Sequence, residues 1–399
     1  MSSNQPVIVA AKRTPIGRFL GGLAGVPSPR LGAIAIKAVL DEVPQAKAHI
    51  DECIMGCVLQ GGLGQNPARQ AGLHAGLAST LSAVTVNKVC GSGLQAVMQA
   101  ATAIRAGEAE CIVAGGFENM SAAPHFAHVR GGVKYGPTEL KDLMAHDGLT
   151  CAFECWPMGN AADHIARKHD VSRGEQDRFG AQSHQRAAAA WEKGWFNAEV
   201  IPLTGEQVGN RKAPGPEGGV SRDEGIRADS TADGLSKLRP AFDKEGTVTA
   251  GNASQISDGA AAVLVMSEAK AASLGVKPLA KIVASATSGV DPKDIFEAPI
   301  TGIQAALSRA GLGVKDIDLF EINEAFAAQV LCNIKALAVP EDRLNVAGGG
   351  IALGHPIGAS GARVLTTLVH QLKRTGGKRG VAALCLGGGN SVAMVVEMV

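Results

Sequence analysis

Aromatic residues are scarce here: Phe, Trp and Tyr make up 4% of 399 residues, with a single tyrosine. Single-stranded nucleic acid is bound on such rings, so their scarcity argues against that partner. The formal net charge of +1 comes from interspersed acidic and basic residues without a basic stripe or run. That leaves no electrostatic case for nucleic acid or a membrane surface. Long apolar runs are missing too. Nothing approaches the ~18 apolar residues of a membrane helix. The early apolar stretch at 7–11 is too short for a signal-peptide core and is interrupted by Lys12-Arg13. These absences point to a soluble cytoplasmic protein whose partner is a small molecule. The eight cysteines, at 53, 57, 90, 111, 151, 155, 332 and 385, include two C-x3-C pairs. Neither is joined by the further Cys or His pair that completes a zinc site, so no metal is expected and most of these thiols read as buried and reduced.

What the chain does have is glycine, 51 residues gathered in short clusters such as Gly348-Gly349-Gly350 and Gly387-Gly388-Gly389. Such clusters suit tight turns and close backbone approach. Short apolar runs alternate with helical periodicity, the grammar of an α/β protein. Strands are expected at 7–10, 52–59, 83–86 and 110–115, with a helix carrying Leu94, Val97, Met98, Ala101 and Ile104 on one face. A second block repeats this, with strands at 279–286, 318–322, 344–347 and 381–386 and helices at 301–310 and 358–372. CIMG at 53–56 answers LFEI at 319–322, Ser92-Gly93 answers Ser360-Gly361, and Ala114-Gly115-Gly116 answers Leu386-Gly387-Gly388, at nearly equal spacing. A duplicated unit explains this better than coincidence. The expected organisation is a first half over 1–121, completed by about 248–273, a second half over 274–399, and an inserted loop domain at 122–247. The insert is richer in charge, Pro and His and includes a surface loop at 210–225. The junction of the two copies is the natural place for a site.

Four segments bear on chemistry. In VNKVCGSGL, Cys90 lies at a strand-to-helix turn where free backbone N–H groups favour a thiolate, and the glycines after it leave room for a substrate. A buried, inert cysteine beside a tight turn is the alternative. His355, in GGGIALGHPIGASG, sits where a histidine can hold a thiolate–imidazolium pair, donate to an oxyanion, or simply cap a helix. By the repeat it occupies nearly the place in copy two that Cys90 has in copy one. Cys385 ends an apolar strand ahead of three glycines; alone it reads as a packing cysteine, while a thiol tuned near neutrality there could move protons. Asn323, in NEAFA, is placed to cap the helix that follows or to fix a water.

Together, VNKVCGSGLQAV, NEAFA, GHPIGASGAR and CLGGG, in that order, resemble the thiolase family over nearly the whole chain, from the KRTPIG segment to the C-terminus. LRPAFDKEGTVTAGNAS at 238–254 adds to this, and PHFAHVRGGVKYG at 124–136 is especially like the biosynthetic acetoacetyl-CoA enzymes. The resemblance implies thiolase-like duplicated α/β halves packed in α-β-α-β-α layers with an inserted loop domain. It implies acetyl-CoA C-acetyltransferase activity: two acetyl-CoA condense reversibly to acetoacetyl-CoA and CoA through an acylated Cys90. A broader-chain 3-ketoacyl-CoA thiolase and a silent acyl-binding homologue are the alternatives. His355 would activate Cys90 and, with a water held by Asn323, form one oxyanion hole. Cys385 would move the α-carbon proton, and the N–H groups of Cys90 and Gly387 would form the second oxyanion hole. Arg227, Phe242 and Ser254 match coenzyme A contacts, Met158 and Phe326 the pantetheine and acyl pocket, and 124–146 a loop that joins dimers into a homotetramer. No cofactor beyond the CoA thioesters is implied. A ketoacyl synthase on the same scaffold would lack the second cysteine. Departures from the family pattern are Ala347 in place of an asparagine, Trp156-Pro157 in place of Tyr-His, Gln255 in place of glycine, and Asn390-Ser391.

Overall fold

The computed structural model describes residues 4–209 and 216–399. Nine strands form the main sheet: β1 (Pro6–Arg13), β2 (Glu52–Gly56), β3 (Ser82–Val86), β4 (Cys111–Asn119), β5 (Ser257–Ser267), β6 (Ala280–Gly289), β7 (Leu319–Ile322), β8 (Arg379–Leu386) and β9 (Asn390–Met398). The principal helices are α1 (Ser28–Glu42), α2 (Ser92–Ala106), α3 (Met158–Lys168), α4 (Arg173–Glu192), α5 (Ala298–Ala310), α6 (Ala327–Leu337) and α7 (Ser360–Thr375). Across the sheet the order is β7-β8-β9-β6-β1-β5-β4-β2-β3, with the short strand Gly17–Arg18 added beside β5. Read outward from the middle, β1-β5-β4-β2 repeats as β6-β9-β8-β7, with the same alternation of antiparallel and parallel pairs. Among the described residues, strand pairing between the two half-sheets is confined to Val7↔Lys281 and Ile8↔Ala280.

Both faces of the central strands are buried, so their sequences read as continuous apolar runs rather than alternating ones. In β1, Val7 and Val9 pack with Leu31, Ile36 and Val39 of α1, while Ile8 and Ala11 turn to the opposite core. In β8, Val381 and Ala383 pack with Ile303 and Leu307 of α5, and Ala382, Leu384 and Leu386 face the middle. The middle core is made by Leu94, Val97 and Ile104 of α2 against Val364, Leu368 and Leu372 of α7. Each fully buried aliphatic side chain contributes about 1.5–3 kcal/mol. The layers are therefore α1, first half-sheet, α2 with α7, second half-sheet, α5. The paired Ser-Gly steps meet at the pseudo-symmetry axis: a Cβ on Gly93 would lie 2.8 Å from the Ala362 nitrogen, and one on Gly361 would strike the Leu94 backbone. Glycine at both places lets the two helix starts approach backbone to backbone.

Several expectations change. The run at 52–59 stops as a strand at Gly56, because the N–H groups of Val58 and Leu59 turn to the buried Glu118 carboxylate at 3.0 and 3.1 Å. Residues 344–347 are not a strand. Leu344 makes a lone bridge to Phe320, and Asn345 then enters the left-handed region at φ 43°. Its side chain does the pairing instead: Asn345 Oδ1 accepts from Ile322 N at 2.9 Å and Nδ2 donates to Ile322 O at 2.8 Å. The third repeat match is out of register. If Cys53 answers Leu319, their sheet partners Val113 and Gly380 answer each other, so Ala114 corresponds to Val381 and not to Leu386. Of the expected loop at 210–225, residues 210–215 lie outside the described residues. The later part is tied down, with Val220 bridging Leu203 and the Asp223 carboxylate buried on Arg13 at 2.7 and 3.0 Å. Among the described residues no helix is long and apolar enough to cross a membrane.

Candidate active site

The turn between β3 and α2 presents Cys90. Val89 holds φ 47°, uncommon for a β-branched residue, and such strain costs about 1–3 kcal/mol. The turn is held from within: Val89 N donates to Asn87 Oδ1 at 3.0 Å, Lys88 N to Ser92 Oγ at 2.8 Å, and Ser92 Oγ to Val89 O at 2.7 Å. The backbone N–H groups of Gly387 and of Cys90 itself lie close enough to the sulfur to favour its charged form. Gly387 belongs to the Gly-rich turn between β8 and β9, where Gly388 and Gly389 take φ 82° and 85°. The expected thiolate does not follow from this helix start. Burial pushes the thiol up to about 12, outweighing the two N–H groups that pull the other way.

His355 follows Gly354, whose φ of 111° only glycine adopts readily. Its backbone N–H donates to Gln255 O at 3.1 Å. Its Nδ1 lies 2.6 Å from Ser360 Oγ, and that hydroxyl donates its single hydrogen to Pro356 O at 2.9 Å. With that hydrogen on Pro356 O, Nδ1 carries the proton of this contact and the basic lone pair is on Nε2. Burial, then Arg363, hold the imidazole down to about 3. Burial thus favours the neutral thiol and the neutral imidazole over a thiolate–imidazolium pair. Because the Cys90 thiol titrates well above neutrality, only a small thiolate fraction exists near pH 7, and it grows tenfold per pH unit. Alkylation of Cys90 by iodoacetamide in the free protein is expected to rise about tenfold per unit from pH 7 to 9. Peptide mapping after timed quenches measures this, and a plateau below pH 8 would refute the neutral pair.

Asn323 continues the β7 ladder, donating its backbone N–H to Ala383 O at 2.9 Å. It does not cap α6, which begins four residues later with Phe326 at its N-cap and its first N–H on Asn252 O at 2.8 Å. Its Oδ1 lies 3.5 Å from Nη2 of buried Arg363, and its Nδ2 is 3.4 Å from each His355 ring nitrogen. Arg363 can only donate, so the amide is oriented with its NH2 towards the imidazole. Cys385 lies near the end of β8, buried beside Cys90. Burial, then proximity to Cys90, raise its thiol well above the ordinary range.

These groups share one cavity of about 670 Å³, lined by Cys90, His355, Cys385 and Gly387 together with Met158, Arg227, Phe242, Ser254 and Phe326. Asn323 stands behind His355 rather than on the wall. Phe296 and Phe242 close on Phe326 edge-on at 5.4 and 6.3 Å between ring centres. Of the departures from the family pattern, Pro157 and Gln255 line this cavity. Ala347 packs with Ala187 and Leu353, and Glu324 is satisfied without a side-chain amide at 347, by Ser183 Oγ at 2.6 Å and Asn345 Nδ2 at 2.9 Å. Gln255 is a clamp: its Nε2 donates to Gly225 O and Ile351 O, both at 2.9 Å, while its carbonyl holds His355. Trp156 packs against the cluster of Phe296, Phe326 and Cys385, and Pro157 lines the cavity.

Among the residues sequence reasoning passed over as site members are Arg18, Phe19, Gln255 and Ser360; Gln255 carried a signal only as a departure and Ser360 only as a repeat match. Comparison with known proteins agrees with the geometry. The thiolase N-terminal domain family matches residues 6–269 and the thiolase C-terminal domain family residues 276–398. The acetyl-CoA acetyltransferase of Chromobacterium violaceum is 53% identical over 391 residues, covering 98% of both chains. That of Escherichia coli is 50% identical over 393 residues, again covering 98% of both. The crystal structure of the Bacillus anthracis acetyl-CoA acetyltransferase superposes with a TM-score of 0.95 at 39% identity, covering 99% of each chain. With two cysteines and a histidine brought into one cavity at the junction of two matching half-sheets, and with both family domains spanning it, this chain belongs to the thiolase family.

Proposed function

We propose that the protein is an acetyl-CoA C-acetyltransferase, joining two acetyl-CoA into acetoacetyl-CoA and CoA and running the same reaction in reverse. The observation that carries this is one cavity that brings Cys90, His355 and Cys385 together with Gly387. Cys90 attacks the thioester carbonyl as its proton passes to His355 Nε2. The C–S bond to CoA breaks, and Cys385 gives its proton to the departing CoA sulfur. This leaves an acyl-Cys90, an imidazolium and a Cys385 thiolate. The thiolate takes a proton from the α-carbon of the second acetyl-CoA, whose enolate oxygen is held by His355 and a water on Asn323. The enolate carbon attacks the acyl-Cys90 carbonyl; its oxyanion is received by the N–H groups of Cys90 and Gly387, each such donor contributing about 2.7–4 kcal/mol. Collapse returns the His355 proton to Cys90. Nothing is oxidised or reduced, so no cofactor beyond the CoA thioesters is called for.

Arg227, Phe242 and Ser254 contact coenzyme A in this reading, and Met158 and Phe326 border the acyl group. The aromatic cluster of Phe296 and Phe326 walls the acyl end, which favours a short chain. Thiolysis of acetoacetyl-CoA by free CoA, followed at the absorbance of the 3-ketoacyl thioester, is expected to be fast and to fade with chain length. Equal turnover of C4 and C8–C16 substrates would overturn the short-chain assignment. A homotetramer built as a dimer of dimers fits the arm at 124–146. The arm is braced at its base by His125–Phe126 pairing with Lys141–Asp142, and it carries a 99% exposed Tyr135 and a 63% exposed Leu140.

A further inference from the structure

Beyond the acyl chemistry, the cavity mouth carries a charge pattern of its own. Among the described residues, Arg18 and Arg227 line it and no Asp or Glu does. Among the described residues neither makes an ion pair. Their placement is built rather than incidental. The turn at 17–22 wraps the Glu224 carboxylate, which accepts from Arg18 N at 3.1 Å and from Gly22 N at 3.0 Å. Glu224 N in turn donates to Ile16 O at 3.0 Å, which lays the chain leading to Arg227 alongside the turn that bears Arg18. Leu20 N is pinned to Ser121 Oγ at 2.8 Å, and Gly17–Arg18 pairs with Ser257–Asp258 of β5. Glu224 is occupied by backbone donors and leaves the Arg18 guanidinium uncompensated. Beside the two arginines stand two half-exposed rings, Phe19 at 44% and Phe242 at 42% exposure, in a chain poor in aromatics.

We infer that Arg18 is a phosphate-binding residue of this mouth, acting with Arg227 on the phosphates of the coenzyme A moiety while the thioester end reaches Cys90. The inference rests on the proposed use of CoA thioesters and adds a residue to it. A guanidinium presents a planar fork of donors suited to phosphate oxygens, and a charged hydrogen bond at an exposed rim contributes to binding rather than to the bond-making step.

The test compares Arg18→Ala and Arg18→Glu with the parent protein. Acetoacetyl-CoA and acetoacetyl-pantetheine, which lacks the nucleotide and its phosphates, are the substrates, and calorimetric binding of CoA and of inorganic phosphate runs alongside. Arg18→Ala is expected to raise KM for acetoacetyl-CoA about tenfold with kcat changed less than about threefold, and Arg18→Glu to raise it further. The ratio of kcat/KM for the CoA substrate to that for the pantetheine substrate falls accordingly, and CoA binding weakens by a similar factor. The salt dependence of KM should flatten in both variants. Equal losses with both substrates would assign Arg18 a structural role and overturn the inference, as would an unchanged KM and CoA affinity. Parent-level CoA affinity in Arg18→Ala with inorganic phosphate binding alone weakened would mean an adventitious anion site, which also overturns it. If the parent protein shows no thiolysis of any substrate, the proposed function fails on its own, and CoA calorimetry on Arg18→Ala still decides the phosphate contact.

Discussion

Replacing Cys90 with alanine is expected to leave a folded protein that no longer accepts an acyl group from acetyl-CoA, with thiolysis and condensation both reduced by at least about 10,000-fold, or ~5.5 kcal/mol in the barrier. No other group can take over the bond to carbon. Cys385 is the other thiol on the described cavity wall, and the N–H groups of Gly387 and Cys90 act on the Cys90 sulfur and not on that of Cys385. Folding is spared because the turn is held by Asn87, Ser92 and backbone atoms rather than by the thiol. Intact-mass spectrometry after incubation with acetyl-CoA reads the result directly: the parent protein gains one acetyl group, and Cys90→Ala gains none. An acetyl group found at Cys385 in the variant, with residual turnover, would reverse the roles of the two cysteines.

How much of this could be read from the chain alone depends on how local each feature is. Cys90 and His355 each sit in a short glycine-marked segment and the repeat set them opposite each other, whereas Cys385 alone read as a packing cysteine and took its role from the family resemblance. Asn323 was ambiguous for a physical reason. An asparagine ahead of a helix is usually a cap, and only the ladder bond to Ala383, with Arg363 behind it, turns its amide towards His355. The thiolate expected of Cys90 came from counting N–H groups without counting burial, which outweighs them. Matching Ala114-Gly115-Gly116 to Leu386-Gly387-Gly388 equated letters with different work. Gly115 and Gly116 sit mid-strand to admit the Ala261 and Gly358 carbonyls, whereas Gly388 and Gly389 make a turn that needs positive φ. The run at 344–347 looked like a strand because its place in the repeat demands one, yet the Asn345 side chain supplies the pairing. The strand Ser257–Ser267 went unread since its alanine-rich, fully buried stretch has no period of two or of 3.6. Arg18 and Phe19 gave no sign at all: a lone Arg-Phe after a glycine becomes a cavity wall only when Glu224 folds the turn back.

Cys385→Ala separates the two halves of the reaction. In the first half the departing CoA sulfur is a stable thiolate, so losing the Cys385 proton slows acylation of Cys90 only modestly, by about tenfold. In the second half the α-hydrogen of acetyl-CoA is weakly acidic and needs a positioned base. His355 is then protonated and holds the enolate oxygen, and among the described residues no Asp or Glu lines the cavity. General acid–base groups of this kind contribute 10²–10⁴-fold, and condensation is expected to fall by about 1,000-fold. The signature is a burst of free CoA equal to the protein concentration, acetyl retained on Cys90 by mass, and almost no acetoacetyl-CoA. In deuterated water, exchange of the α-hydrogens should be lost to the same degree as condensation, because both need the same proton removed. Normal condensation in Cys385→Ala would take the base assignment away from Cys385. Loss of acylation as complete as in Cys90→Ala would instead make Cys385 indispensable to the first half, with its high-titrating thiol serving mainly as the acid for the leaving CoA.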